Sequence, residues 1–337
     1  MVKRVSLKDI AKEVGVSSAL VSYVLNEKKT GRINKVVAQK IRDTAMRLNY
    51  RTNQIAKSLK TSRTNTIGFI VANISNPFSS SLARIIEDEA AKDNYTVLFG
   101  SSDENAFKFQ HLVDVFLNRH VDGLILAPGE HTESQIRYLQ QQEIPFVLID
   151  RYSPDIATNY VALDNFQATY NAIEHLVNLR YKRIGMISYQ SSIHTLNERT
   201  RGYLSALESL TSIRGTELLR EVRIDRVEGK IVQVIDELLA LNEPVDAILF
   251  ASNEIALHGV IHLNELKIRV PEQLAIITFD ELLSWDLFYA PLTYIRQPLQ
   301  EMGELSMKIL LENIESVKDV QQFNLPGSLI VRASTKS

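Results

Sequence analysis

Along residues 1–50 the apolar positions recur at helical spacing, and the polar positions between them mark where each helix starts and stops. Leu7, Ile10, Ala11 and Val14 form one apolar stripe. Ser6, with Asp9 three residues later, has the spacing of a capping box, and Gly15 ends the helix. Val16 packs the turn, Ser17 caps a second helix, and Leu20, Val21, Val24 and Leu25 form its buried side. A third helix is expected over 35–48, capped by Asn34, with Val36, Val37, Ile41, Ala45 and Leu48 facing inward. Ser18, Ala19, Ser22, Tyr23 and Asn26 then point away from the core. Short polar side chains at the start of a second helix suit a helix entering the DNA major groove.

Residues 51–66 are polar and basic, with Ile55, Ala56 and Leu59 on one edge. They read either as a short helix, too small to be stable alone, or as a plain linker. From Thr66 the period changes. Compact apolar runs (TIGFIV, YTVLFG, DGLILA, PFVLID, KRIGMIS, DAILFA, LAIITF) alternate with amphipathic helical stretches. This predicts parallel α/β sheets covered by helices, in two lobes given the length. Ligands bind such sheets beyond the carboxyl ends of the strands. The segments 73–78, 150–152, 252–254 and 280–281 therefore carry the candidate chemistry.

Charge sharpens the division. Residues 1–63 hold 15 Lys or Arg against 4 Asp or Glu, whereas the whole chain holds 38 against 40. A basic head on an acidic body concentrates attraction for phosphate in one place. With no cysteine, disulfides and thiolate metal sites are excluded. No apolar run approaches a membrane span, and the N-terminus has no continuous apolar stretch of the kind that directs export. A soluble, cytoplasmic protein without membrane partner is expected, which weighs against a solute receptor of the transport type. No Gly-rich phosphate loop, metal-ligand cluster or nucleophile elbow occurs, so no catalytic residue, metal or cofactor is expected.

The chain resembles the lac repressor and galactose repressor family of bacterial transcription factors over nearly its whole length. LKDIAKEVGVS and VSYVLN resemble the family's helix-turn-helix, and IAKSLKT its hinge helix. TIGFIVANISNPF, DGLIL, FVLIDR, NERTRGY, DAILFASNEIALHGV, IITFDE and PLTYIRQP follow in the order of its sensor core. The resemblance implies an all-α headpiece over 1–50, a hinge over 51–63 and an effector-binding, dimerising core over 64–337. That core is a two-lobed fold like a periplasmic binding protein, with parallel sheets. Lobe 1 is placed at about 64–162 and 294–323, lobe 2 at about 163–293 and 324–337.

It further implies a homodimer on near-palindromic, double-stranded operator DNA, contacted through Ser6, Ser17, Ser18, Ala19, Ser22, Tyr23, Asn26 and Asn34. In the hinge, Leu59 is the wedge entering the minor groove, beside Ala56, with Asn53 and Lys60 as polar contacts. Tyr23 stands where the family commonly has Arg, so one operator base should differ, because a phenol lacks the guanidinium fork. Thr52 replaces a common proline, and the NEKKTGRIN segment is longer than usual. The effector pocket carried over by position comprises Phe78, Asp150, Arg199, Ser252, Asp280 and Trp285, the last lining the mouth or merely packing the lobe. Asn253 replaces a usual aspartate, and Gln297 is placed in a strand returning to the first lobe, in the crossover region, with a pocket role left open. Aspartates with an arginine suit a polyol, so a sugar or sugar derivative is the expected effector. The sequence leaves inducer and corepressor open.

Overall fold

A computed structural model describes residues 5–26, 33–50, 63–211, 215–224, 227–316 and 318–336. The chain separates into two compact units, 1–64 and 65–337. Asn53, Ala56, Leu59 and Lys60 lie outside the described residues.

The first unit is three short helices, α1 (Leu7–Val14), α2 (Ser18–Leu25) and α3 (Lys35–Arg47). Ser6 and Asp9 form a complete capping box on α1, the Ser6 amide donating to the Asp9 carboxylate at 2.8 Å. Gly15 closes α1 with φ +79°, a left-handed turn that glycine adopts without a Cβ penalty. Ile10, Val21, Val24 and Ile41 are fully buried at the centre, and Arg47 pairs with Glu13 across the surface. One inward assignment fails: Val36 is exposed, because on α3 the neighbours Val37 and Ile41 take the core-facing stripe.

The second unit holds two six-stranded sheets. Sheet 1 combines β1 (Thr66–Val71), β2 (Thr96–Ser101), β3 (Gly123–Leu126), β4 (Phe146–Ile149), β5 (Tyr160–Leu163) and β11 (Gln322–Leu325). Its spatial order is β11-β5-β4-β3-β1-β2, parallel throughout. Sheet 2 combines β6 (Ile184–Tyr189), β7 (Leu219–Val222), β8 (Ala247–Phe250), β9 (Ala275–Phe279), β10 (Thr293–Arg296) and β12 (Ser328–Ile330). Its order is β12-β10-β9-β8-β6-β7, with β12 alone antiparallel. The central strands are buried on both faces, as sheets sandwiched between helices require.

Helices α4 (Pro77–Lys92), α5 (Ala106–Asn118) and α6 (Glu133–Gln141) follow strands of sheet 1. On sheet 2, α7 (Asn165–Asn178) and α8 (His194–Leu210) pack one face, and α9 (Val227–Leu239) and α10 (Asn253–Glu265) the other. Finally α11 (Leu299–Glu315) returns to pack on sheet 1 against α4. The chain thus crosses between lobes three times, and two crossings fall later than expected. Strand β10 pairs with β9, so residues 293–296 belong to lobe 2 and the return comes at Gln297–Pro298. Likewise β11 keeps Asn324 and Leu325 in sheet 1.

Two close helix contacts depend on glycine. A Cβ at Gly202 of α8 would sit 2.4 Å from the Phe166 carbonyl oxygen of α7, and one at Gly303 of α11 would sit 2.4 Å from Ile85 Cγ2 of α4. The first contact seats Arg199, one turn earlier on α8, against α7.

Candidate functional site

The carboxyl ends of both sheets face a cavity of about 970 Å³ between the lobes. Asp150 and Asp280 occupy equivalent places in it. Each is the first residue after its strand (β4 and β9), and each amide donates to the neighbouring strand, to Val161 O and Ile295 O at 3.0 Å. Both have left-handed backbones, with φ +67° and +68°. That conformation is costly for a residue with a Cβ and turns the carboxylate off the sheet toward the cleft. Burial raises the pKa of both. For Asp150 the Arg151 and Arg199 charges oppose the rise; for Asp280, Arg199 and a hydrogen bond from Gln297 do.

Arg199 is buried at the cleft floor. Its Nε donates to Asn165 Oδ1 at 2.7 Å and one terminal nitrogen to Ala251 O at 2.6 Å, with the guanidinium carbon 3.8 Å from the Phe279 ring centre. Burial lowers its pKa, while Asp280 and Asp150 hold it up. Ser252 caps α10, accepting from the Ile255 amide, and donates to the Tyr189 hydroxyl at 3.0 Å. Tyr189 in turn donates to Glu254. Half-buried Phe78 lies in the first turn of α4, at the cavity wall.

Five of the six expected pocket residues therefore line one cavity: Phe78, Asp150, Arg199, Ser252 and Asp280. Trp285 does not. It is 2% exposed within the lobe 2 core, and its Nε1 donates to the backbone oxygen of Asp280 at 2.9 Å. The indole holds the Asp280 turn from behind, as a packing residue. Gln297 does line the cavity, its Nε2 donating to Asp280 Oδ1 at 2.7 Å.

Other cavity residues follow strands whose ends were not read. After β2, Glu104 grips Arg151 through two bonds of 2.7 and 2.8 Å. Burial alone would lower the pKa of Arg151, but the Glu104 carboxylate outweighs it and raises the value. After β3, Glu130 reaches across to lobe 2, accepting from Ser191 Oγ at 2.8 Å and the Ser192 amide at 2.6 Å. On the cavity wall, Asn76 of lobe 1 and Asn253 of lobe 2 exchange two amide hydrogen bonds of 3.1 and 2.8 Å. The residues after β2 and β3 hold Glu104 and Glu130, and Tyr189 is the last residue of β6, so the strand ends carried the signal for all three.

In the first unit, three of the predicted contact residues serve the helices directly. Oxygens of Ser6, Ser17 and Asn34 accept from the amides of Asp9, Leu20 and Val36. On the outward side of α2, Ala19 and Tyr23 are exposed and Ser18 is partly so. Asn26 caps the end of α2, its amide nitrogen donating to Ser22 O at 2.7 Å. Among the described residues no His, Cys, Asp and Glu group is placed to hold a metal ion, and no helix is long and apolar enough to cross a membrane.

A helix-turn-helix unit in one chain with a two-lobed ligand clamp defines a ligand-binding transcription regulator. Residues 6–53 match the bacterial regulatory proteins of the lacI family, and residues 173–335 match the periplasmic binding protein-like domain. Catabolite control protein A of Priestia megaterium is 32% identical over 98% of this chain and 99% of its own. The chain belongs to the lacI family of bacterial transcription regulators, whose members here are regulators and not enzymes. Its fold matches the lac repressor dimer bound to operator and the anti-inducer ONPF (TM-score 0.85, 22% identity, 99% and 100% of the two chains). It also matches the transcriptional regulator CelR in complex with cellobiose (TM-score 0.72, 22% identity, 98% and 100%).

Proposed function

We propose that the protein is a repressor that binds a near-palindromic operator as a homodimer in the cytoplasm, and that a sugar or sugar derivative in the cleft sets its affinity for DNA. The observation carrying the effector reading is the paired placement of Asp150 and Asp280 about buried Arg199, with Phe78 beside them. Carboxylates accept from hydroxyls, the guanidinium supports their charge, and an aromatic face covers the apolar side of a ring. The structural likeness to a cellobiose-bound regulator agrees with this reading.

For the headpiece, the outward residues of α2 are the reading surface, with Tyr23 at the base where the operator departs from that of Arg-bearing relatives. The homodimer reading rests on apolar side chains left uncovered on lobe 2: Leu257 and Ile261 on α10, and Leu283, Leu287 and Tyr289 beyond β9. The Tyr289 hydroxyl accepts from the Val270 amide, joining that segment to the loop after α10. Effector and operator are coupled only as far as the effector's affinity differs between the two lobe arrangements.

The test is selection of operator from random duplexes by the full-length protein, then anisotropy titration of that operator with a sugar panel. A shift in operator affinity with one sugar, abolished by Asp150→Ala, supports the reading. A selected site without two-fold symmetry, or response only to a nucleobase, sinks it.

A further inference from the structure

Asp150 and Asp280 share a backbone turn but differ in what their carboxylates hold. Asp280 Oδ1 accepts from Gln297 Nε2 at 2.7 Å. The Asp150 side chain lines the cavity, is 15% exposed, and accepts no aligned hydrogen bond from any described residue. Its nearest donor is Arg151 Nε, 3.5 Å away in ion-pair contact but turned out of line, so that this buried nitrogen has no partner. Arg199 and the Asp280 carboxylate also face Asp150, without hydrogen-bonding it.

The arginine that follows Asp150 in the chain gives both of its terminal nitrogens to Glu104 instead, at 2.7 and 2.8 Å. The loop after β2 is shaped to deliver that carboxylate. Asp103 and Glu104 are both left-handed, with φ +50° and +55°, a costly backbone for side chains of this kind. Asp103 is fixed by Ser101 Oγ, which donates to it at 2.5 Å, and by its ion pair with Lys108. The Glu104 amide donates to Ala72 O at 3.1 Å. Gly129 leaves the room required, since a Cβ there would lie 3.3 Å from Glu104 Oε2. A largely buried guanidinium beside two carboxylates bonds the better aligned one, and charge-assisted bonds of this fork are strong.

We infer that Glu104 is a positioning residue for the effector: by holding the fork of Arg151, it keeps that guanidinium off Asp150 and leaves the Asp150 oxygens open to effector hydroxyls. Without Glu104, the carboxylate within reach of the fork is Asp150, whose oxygen is already 3.5 Å from Arg151 Nε. The guanidinium would turn onto it and occupy the acceptor that the effector needs. Glu104 therefore acts through Arg151, and removing the arginine as well should relieve the loss. The inference rests on the reading of the cleft as the effector site.

The experiment has two arms, both on the full-length protein, with Glu104→Gln taking the place of Glu104→Ala if the alanine variant does not fold. The first compares crystal structures of wild type and Glu104→Ala grown without sugar. A terminal nitrogen of Arg151 should bond Asp150 in the variant only. An Arg151 that stays off Asp150 in the variant overturns the inference, whatever binds. The second arm is isothermal titration with glucose, galactose, mannose, ribose and cellobiose. It is run on wild type, Asp150→Ala, Glu104→Ala, Arg151→Gln and the double variant of the last two. For a sugar that binds wild type, Glu104→Ala should weaken binding by about tenfold or more, and the double variant should recover to within about threefold of Arg151→Gln alone. A merely structural need for the ion pair would leave the double variant as weak as the worse single variant, and that result overturns the inference. Binding lost in Asp150→Ala yet unchanged in Glu104→Ala also overturns it and leaves the cleft reading standing. Binding unchanged in Asp150→Ala overturns the cleft reading beneath it. If none of the five sugars binds, the crystal comparison alone decides.

Discussion

Asn76 and Asn253 form a reciprocal amide pair across the cleft, each donating its Nδ2 to the other's Oδ1 at 3.1 and 2.8 Å. Each stands at the start of a helix that faces the cleft, α4 and α10. An aspartate at 253 would accept the Asn76 bond but have no hydrogen to return. The neutral residue at this position therefore gives a two-bond latch between lobes that a carboxylate cannot give.

Asn253→Ala should release that latch while leaving the Ser252 cap and the Asn76 cap intact. Neutral hydrogen bonds contribute about 0.5–1.5 kcal/mol each, so the two together should take about 1–3 kcal/mol, roughly fivefold at the least, from the closed arrangement. Small-angle scattering of the full chain should report a more open average, and unfolding of the sensor should barely shift. An unchanged scattering profile contradicts the latch.

Glu130 adds a strap whose strength depends on pH. Burial would raise its pKa, but the Ser192 amide and the Ser191 and Ser192 hydroxyls outweigh burial and lower it. The closed state therefore binds the proton less well than the open state. Its added stability is present above the ordinary glutamate range and is lost as pH falls through the lowered value. Asp150 and Asp280 run the opposite way, since burial raises both and acid relieves their charge at higher pH. Protection of the Ser192 amide from exchange should thus hold above the usual glutamate range and be lost as pH falls through the lowered value. Glu130→Ala should remove both the protection and its dependence on pH. Protection that grows in strong acid would contradict the strap.

Gly202→Ala tests how the fold seats the site. The added methyl would lie 2.4 Å from a backbone oxygen of α7, which cannot swing aside as a side chain can. Overpacking of this kind costs about 1–3 kcal/mol, more than the up to about 1 kcal/mol that Ala gains over Gly in a helix. Moving α8 off α7 also stretches the Arg199–Asn165 bond. Melting temperature and effector affinity should fall together. Gly229→Ala on α9, where a Cβ meets nothing within 4 Å, should instead be neutral or slightly stabilising. Equal behaviour of the two variants contradicts the close-contact account.

Much of this was legible from residue patterns because the two periods are so distinct. Ile10, Val21 and Ile41 mark a three-helix core, and the strands buried on both faces read as unbroken apolar runs such as Leu124–Leu126. The interior strand β5 escaped although buried throughout, being only four residues long, and the edge strands β7, β11 and β12 escaped because they mix burial and exposure within a few residues: Gln322 and Asn324 alternate with Phe323 and Leu325. Strand β10 was recognised but set in the wrong lobe, since its sequence carries no sign of pairing with β9. The aspartates ending β4 and β9 were visible as strand ends. Glu104, Glu130 and the Asn76–Asn253 pair were missed, because their partners lie 47 to 177 residues away and only the folded lobes bring them together. Trp285 was misplaced for a related reason: a lone aromatic near a pocket can face either side of its turn, and a backbone oxygen behind the turn claimed this one.

The uncovered face of lobe 2 gives the last expectation. Leu283 and Leu287 are 89% and 87% exposed, a costly display of apolar surface for an unpaired molecule. Burying a leucine side chain contributes about 1.5–3 kcal/mol, so a dimer that covers both gains several kcal/mol from them alone. Leu283→Asp with Leu287→Asp removes that gain and leaves carboxylates to be desolvated at the contact. Sedimentation velocity at micromolar concentration should find dimers of wild type and monomers of the double variant. The variant's cleft should still bind effector, because neither leucine lines the cavity. Operator binding should weaken by about a hundredfold or more, since two headpieces would no longer be held together on one duplex. A double variant that stays dimeric, or a wild type that sediments as a monomer, would place the dimer contact elsewhere or remove it.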